Sequence, residues 1–144
     1  MRMIVAAALA LGVIGLSHAE DKKFGKLEGK WSYTAGMRDG DKVAKEALQG
    51  EVIFTKDQIT VPSGGDKPFL MKYTLNMKVM PVAIDMEITD GPVTEGKALG
   101  IVEVDGDALK IAYAPVTDDK TMRPKKFEST KENGAFYFEL KRVK

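Results

Sequence analysis

Residues 69 to 79 read Phe69-Leu70-Met71-Lys72-Tyr73-Thr74-Leu75-Asn76-Met77-Lys78-Val79, an almost unbroken alternation. On an extended chain Phe69, Met71, Tyr73, Leu75, Met77 and Val79 share one face, and Leu70, Lys72, Thr74, Asn76 and Lys78 share the other. Successive side chains of a strand point to opposite sides, so the spacing predicts a strand over 69–79 with one buried and one wet face.

The same period of two recurs on both sides of this stretch. Trp31 and Tyr33, Val52 and Phe54, and Ile59 and Val61 precede it. Ile84, Met86 and Ile88 then oppose Asp85 and Glu87; Ala98 to Val104 follow; Leu109, Ile111 and Tyr113 oppose Lys110 and Ala112; and Phe136, Phe138 and Leu140 oppose Tyr137, Glu139 and Lys141. A short run from Lys125 to Ser129 reads as one more strand. Residues that tolerate reversal punctuate these runs: Asp39-Gly40, Lys56-Asp57, Ser63-Gly64-Gly65-Asp66, Asp90-Gly91-Pro92, Asp105-Gly106 and Asn133-Gly134. Only Asp41 to Leu48 reads as a short helix, with Asp41 as N-cap and Gly50 just past its end. The expected fold class is all-β: an antiparallel up-and-down barrel of about eight strands with one short helix after the first strand.

At the start of the chain, Met1-Arg2-Met3 leads into an apolar run from Ile4 to Leu16 and then Ser17-His18-Ala19. That is the pattern of a secretory signal peptide over residues 1–19, cleaved after Ala19. The run falls short of the ~20 residues of a membrane-spanning helix. Residues 20–28 are expected to be a flexible lead-in and residues 29–144 a single barrel domain, periplasmic or secreted, with no membrane insertion after cleavage. The whole chain carries 22 basic and 21 acidic residues, and losing Arg2 with the leader balances them. Such a neutral chain, with no basic stripe, is not expected to bind nucleic acid.

Two absences narrow the chemistry. The single histidine, His18, lies in the leader, and the chain has no cysteine. A Ser-His-Asp triad, a Cys-His pair, a zinc site of N/S ligands, His- or Cys-ligated haem and disulfides are therefore excluded from the mature chain. Catalysis would have to run on carboxylates, Lys, Tyr or Arg, so the chain reads as non-catalytic, the alternative being a hydrolase that uses carboxylates alone. No cofactor is expected.

Individual motifs give the same answer. "DGDALKIAY", Asp105 to Tyr113, offers too few carboxylates for a calcium loop and is already a strand by Leu109, so it reads as a hairpin bend. Met77 and Met80 could offer thioethers to Cu(I), but residues three apart on a strand diverge, and core or cavity filling is the expected role of the methionines. Asp85 and Glu87 alternate with Ile84, Met86 and Ile88 and so belong to the outer face. Ser32, Ser63 and Ser129 have no histidine to activate them.

Gly29-x-Trp31, Asp39-Gly40, Pro81-x-Ala83-Ile84-Asp85, Gly96-Lys97-x-x-Gly100-Ile101, Asp105-Gly106-Asp107-x-Leu109, Arg123-Pro124-x-x-Phe127 and Leu140-Lys141-Arg142 occur in that order. As an ordered set spanning nearly the whole mature chain, they resemble a family of small exported lipocalin-like domains of unknown function, numerous in planctomycete bacteria. The chain departs from that family at Val102, where a tyrosine is usual, and in lacking a cysteine near Ala112. The resemblance implies a barrel and no activity. Its likeness to lipocalins further implies that Trp31 plugs one end of the barrel and that Arg142 stacks over it, a structural cation-π pair.

The inward-facing set expected to line a ligand site is Tyr33, Phe54, Met71, Tyr73, Met86, Tyr113, Phe127 and Phe138. Aromatics mixed with methionine suit an apolar pocket and a solid core equally. Two roles stay open: a binding module for a small hydrophobic ligand held in a cavity of a few hundred Å³, or a structural domain with a filled barrel that meets another exported protein.

Overall fold

The alternation at Phe69 becomes the fourth of eight barrel strands in the computed structural model, which describes residues 25–63 and 65–144. In chain order the strands are β1 (Gly29–Arg38), β2 (Asp41–Lys42), β3 (Glu51–Phe54), β4 (Gln58–Val61), β5 (Phe69–Asn76), β6 (Val82–Asp90), β7 (Lys97–Asp105), β8 (Ala108–Pro115) and β9 (Phe136–Arg142). Apart from β2, a two-residue spur on β1, each strand pairs antiparallel with the next, and β9 returns to pair with β1 from Phe136↔Arg38 to Arg142↔Trp31. Eight strands thus close a barrel with no free edge. The signal peptide expected over residues 1–19, with its His18, and the first part of the expected lead-in lie outside the described residues.

Closure sorts the side chains as the alternation requires. Phe69, Met71, Tyr73 and Leu75 stand in register with Val61, Ile59, Met86 and Ile84, on the inner face. Two bulges reset this alternation. Between Tyr33 and Ala35 the chain carries an extra Thr34, and between Ile88 and Asp90 an extra Thr89. Each extra threonine donates its hydroxyl to the facing strand, Thr34 to Glu139 O and Thr89 to Leu70 O, which satisfies the disrupted ladder. After the first bulge the inner face of β1 passes from Trp31 and Tyr33 to Gly36 and Arg38, in register with Phe138 and Phe136.

Three sequence expectations are corrected. The strand expected over 69–79 ends at Asn76, whose Oδ1 accepts the Lys78 N–H and turns the chain, leaving Met77 and Val79 51% and 44% exposed. The helix expected over 41–48 does not form. Asp41 and Lys42 pair with Arg38 and Met37 around an Asp39-Gly40 turn whose two residues both have positive φ (54° and 83°), and only a 3-10 turn at Lys45–Ala47 remains. A helix this short is marginal in water, and none of the residues in that turn is buried to support one, so strand pairing wins. Lys125 to Ser129 is an irregular segment. In a closed barrel β8 and β9 already pair with each other, and no edge is left for a further strand.

That segment belongs to the long connection between β8 and β9, which forms a second layer on the barrel's outside. Arg123 anchors it, donating to Ile84 O and Gly100 O at 3.0 and 2.9 Å and pairing with Asp85 at 2.7 Å. Phe127 covers Tyr137, whose neighbours on the outer face are Ile101 and Ala112. Ser129 is buried and donates to Ala135 O at 2.6 Å.

Candidate functional site

The two ends of the barrel are built differently. At the end where β1 begins and β9 finishes, Trp31 is fully buried and its indole N–H donates to Leu27 O at 2.9 Å. Arg142 lies over the indole, its guanidinium carbon 4.3 Å from the ring centroid. The same guanidinium donates to the carbonyls of Lys26, Glu28 and Gly106 and pairs with Asp107. Gly29 makes room for it: a Cβ there would come within 3.1 Å of Arg142 Nη1, and φ at Gly29 is +133°. Gly25 N–H donates to Val104 O, and Leu27 is buried, so the end of the expected lead-in forms part of this closure.

The bend at Asp105 to Asp107 joins β7 to β8 as a two-residue hairpin loop, with Gly106 at φ +62°. Asp107 spends its carboxylate on Lys144 and Arg142, at 2.9 and 3.4 Å. The hydrogen bond from Lys144 is the main reason why its acidity is raised and its pKa lowered. Among the described residues, no three His, Cys, Asp or Glu side chains gather as metal ligands would.

Above this plug the interior is packed. Val52, Phe54, Ile59, Tyr73, Ile84, Val102, Val104, Leu109 and Leu140 are all buried in one cluster. Three of the sequence-predicted ligand-lining residues belong to this solid part. Phe54 meets Tyr73 edge-on at 5.7 Å, Tyr73 donates its hydroxyl to Thr55 O, and Met86 is 5% exposed. A fourth, Phe127, stands outside the barrel against Tyr137.

The remaining four, Tyr33, Met71, Tyr113 and Phe138, lie toward the opposite end, where the inward-facing side chains are only half-buried; Tyr33, Phe138 and Tyr113 are neighbours there, and Met71 is on the facing wall. This end, the barrel's mouth, is the less fully covered one. One wall comes from β1, β8 and β9, as a run of rings: Tyr33 lies 5.3 Å from Phe138, Phe138 stacks on Tyr113 at 6.1 Å, and Tyr113 meets Phe136 edge-on at 5.4 Å. Arg38 completes the run at the rim, 4.9 Å over the Phe136 ring. The opposite wall, from β4 to β6, presents Val61, Met71 and Ile88, also half-buried.

Two inward-facing glycines create space for the rings. A Cβ at Gly36 would lie 2.8 Å from the Phe138 ring and 3.1 Å from Leu48, which leans in from the β1–β3 connection. A Cβ at Gly100 would lie 2.9 Å from Tyr113 Cβ and 2.7 Å from Ala112 O. Sequence reading missed Gly36, Arg38, Gly100 and Phe136 at this site. The bulge at Thr34 hides the first two from a period of two, but Gly100 and Phe136 were in phase with inward neighbours and could have been found.

The tyrosines differ in how their hydroxyls are satisfied. Those of Tyr73 and Tyr137 donate to Thr55 O and Glu139 Oε2, whereas those of Tyr33 and Tyr113 make no hydrogen bond to any described residue. Burial pushes Tyr33 up to about 12 and Tyr113 further, the latter also raised by its closeness to Tyr33 and opposed by Arg38. Both are neutral O–H donors at physiological pH.

The methionines divide evenly, against the expectation that they fill the core or a cavity. Met37, Met71 and Met86 pack on the two apolar clusters, but Met77, Met80 and Met122 are 51%, 66% and 68% exposed. Met80 borders an outer groove of about 460 Å³ between Ala83, Ile101 and Arg123. A second outer groove, of about 640 Å³, runs along β5 to β7 past Lys72, Glu87 and Lys97. Asp85 and Glu87 are outward-facing, paired with Arg123 and Lys72. Comparison with protein-family models, curated proteins and solved structures gives no match for this chain.

Proposed function

We propose that this chain is an exported, non-catalytic barrel that binds a small hydrophobic molecule in its mouth. One observation carries the reading: inward-facing apolar side chains toward the plugged end are fully buried, Leu75 excepted, whereas Tyr33, Met71, Tyr113 and Phe138, on the two walls of the other end, are only half-buried. Apolar area left uncovered inside a concave surface is recovered when a ligand fills it, at about 25 cal/mol per Å². The shape favours a shallow, end-on site over an enclosed one, because the lower interior is already packed.

The test is fluorescence enhancement of N-phenylnaphthylamine, a neutral apolar probe, on titration with the protein. Enhancement is expected, and Met71→Glu abolishes it while Met77→Glu, at the other end, leaves it unchanged. A probe that stays dark, or that responds equally in Met71→Glu, sinks the reading.

A second reading, an interaction domain whose barrel needs no ligand, is favoured by the exposure of Met77, Val79 and Met80 beside the 460 Å³ groove. It requires a protein that co-purifies with the wild-type chain from a periplasmic extract and is lost with Met80→Glu.

A further inference from the structure

With no cysteine in the chain, a peroxide that reaches this protein meets no thiol, and the softest groups left to react are the thioethers of methionine. The indole of Trp31, a second oxidisable group, is fully buried. The fold then separates the methionines by access. Met86 faces inward from β6 and is buried, and Met37 and Met71 are half-buried against the two apolar clusters. Met77 and Met80 stand instead in the loop that joins β5 to β6, and Met122 in the long connection between β8 and β9, all three more than half exposed. None of these three belongs to either cluster, so an oxygen atom added to their sulfur displaces no core neighbour.

Met80 has a further setting. With the exposed Val79 it forms an apolar lip on the outer groove of about 460 Å³, beside Ile101 and Pro124. Met77 lies in the same loop. A sulfoxide is a polar, chiral group in place of a flexible apolar one, so oxidation here turns the lip polar.

From this placement we propose that Met77, Met80 and Met122 are sites of reversible sulfoxidation by peroxide, and that oxidation of Met77 and Met80 removes the apolar patch beside the outer groove. In the forward step the thioether sulfur attacks the peroxide, an S–O bond forms and the O–O bond breaks. The departing hydroxide takes the proton from the transferred oxygen and leaves as water; sulfur is oxidised and the peroxide reduced. A thiol-dependent sulfoxide reductase reverses it, the oxygen leaving as water while two thiols become a disulfide. The sites do not depend on what the barrel's mouth holds.

The experiment is exposure of the full chain to hydrogen peroxide, followed by tandem mass spectrometry of its peptides and by retention on a phenyl hydrophobic-interaction column. Met77, Met80 and Met122 should be oxidised about tenfold faster than Met86, which reacts only when the barrel opens, and the near-ultraviolet circular dichroism should stay as it was. Retention should fall on oxidation and return after treatment with sulfoxide reductases for both epimers and dithiothreitol. The double variant Met77→Leu/Met80→Leu, equally apolar and inert to peroxide, should begin with wild-type retention and keep most of it, its unchanged circular dichroism showing that it is folded. Oxidation of Met86 as fast as of the loop methionines overturns the assignment of the sites. A retention that oxidation leaves unchanged, or that falls as far in the double variant, overturns the switch at the groove.

Discussion

Replacing Arg142 with methionine tests how the barrel is closed. The substitution keeps most of the side-chain volume over Trp31 but removes the guanidinium, and three kinds of contact go with it. The first is the cation-π stack at 4.3 Å on a fully buried indole, worth about 1–2 kcal/mol in such a desolvated setting. The second is the donation to Lys26 O, Glu28 O and Gly106 O, the last two at 3.2 and 3.4 Å. Water can reach these carbonyls, so the three bonds together add about 1–2 kcal/mol, less than their sum in a buried site. The third, the pair with Asp107 at 3.4 Å, is exposed on the acid's side and adds little. The total is about 3 kcal/mol, or a midpoint lowered by roughly 10 °C for a domain of this size. Urea unfolding followed by Trp31 emission reports it directly, because the only tryptophan sits in the perturbed contact. Arg142→Lys should recover less than half, since an ammonium offers no planar fork to several carbonyls, and Asp107→Asn should change little. A loss below about 0.5 kcal/mol for Arg142→Met, the ordinary range of surface substitutions, would refute the claim that this residue seals the barrel.

Other outcomes follow from single contacts. Gly36→Ala should cost about 1–3 kcal/mol by urea unfolding and shift the near-ultraviolet circular dichroism of the aromatic wall, because the new Cβ meets the Phe138 ring at 2.8 Å. Ser129→Ala should cost about 1–3 kcal/mol by the same measurement, since it leaves the Ala135 carbonyl unpaired beneath the outer layer. Tyr33 ionises near 10 when unfolded and near 12 when folded, so its contribution is complete below pH 10 and is lost as pH rises through 12. Two pH units correspond to at most about 3 kcal/mol, and Tyr33→Phe should flatten the alkaline arm of a stability-against-pH curve between those limits.

The period of two, read from residues alone, was sufficient to predict the fold class, the count of about eight strands, most turn positions and the inward faces of β5, β6, β8 and β9. It works because one buried face imposes a parity that no other element shares. Parity is also where sequence reading stopped. A bulge adds one residue to one strand without a mark in composition, so Gly36 and Arg38 were invisible as inner-face residues until β9 paired with β1. The helix over 41–48 was a local preference overruled by a pairing partner on β1, and the strand at Lys125 was lost because closure left no edge for it. Depth along the barrel axis is likewise a tertiary quantity. Phe54 and Tyr73 have the same period and polarity as Tyr33 and Tyr113, yet one pair is sealed in the core and the other opens to the mouth. That difference arises only when the chain end, Leu27, Trp31 and Arg142 gather to stopper one end. Alternation determines which way a side chain points; only the closed barrel determines what it meets there.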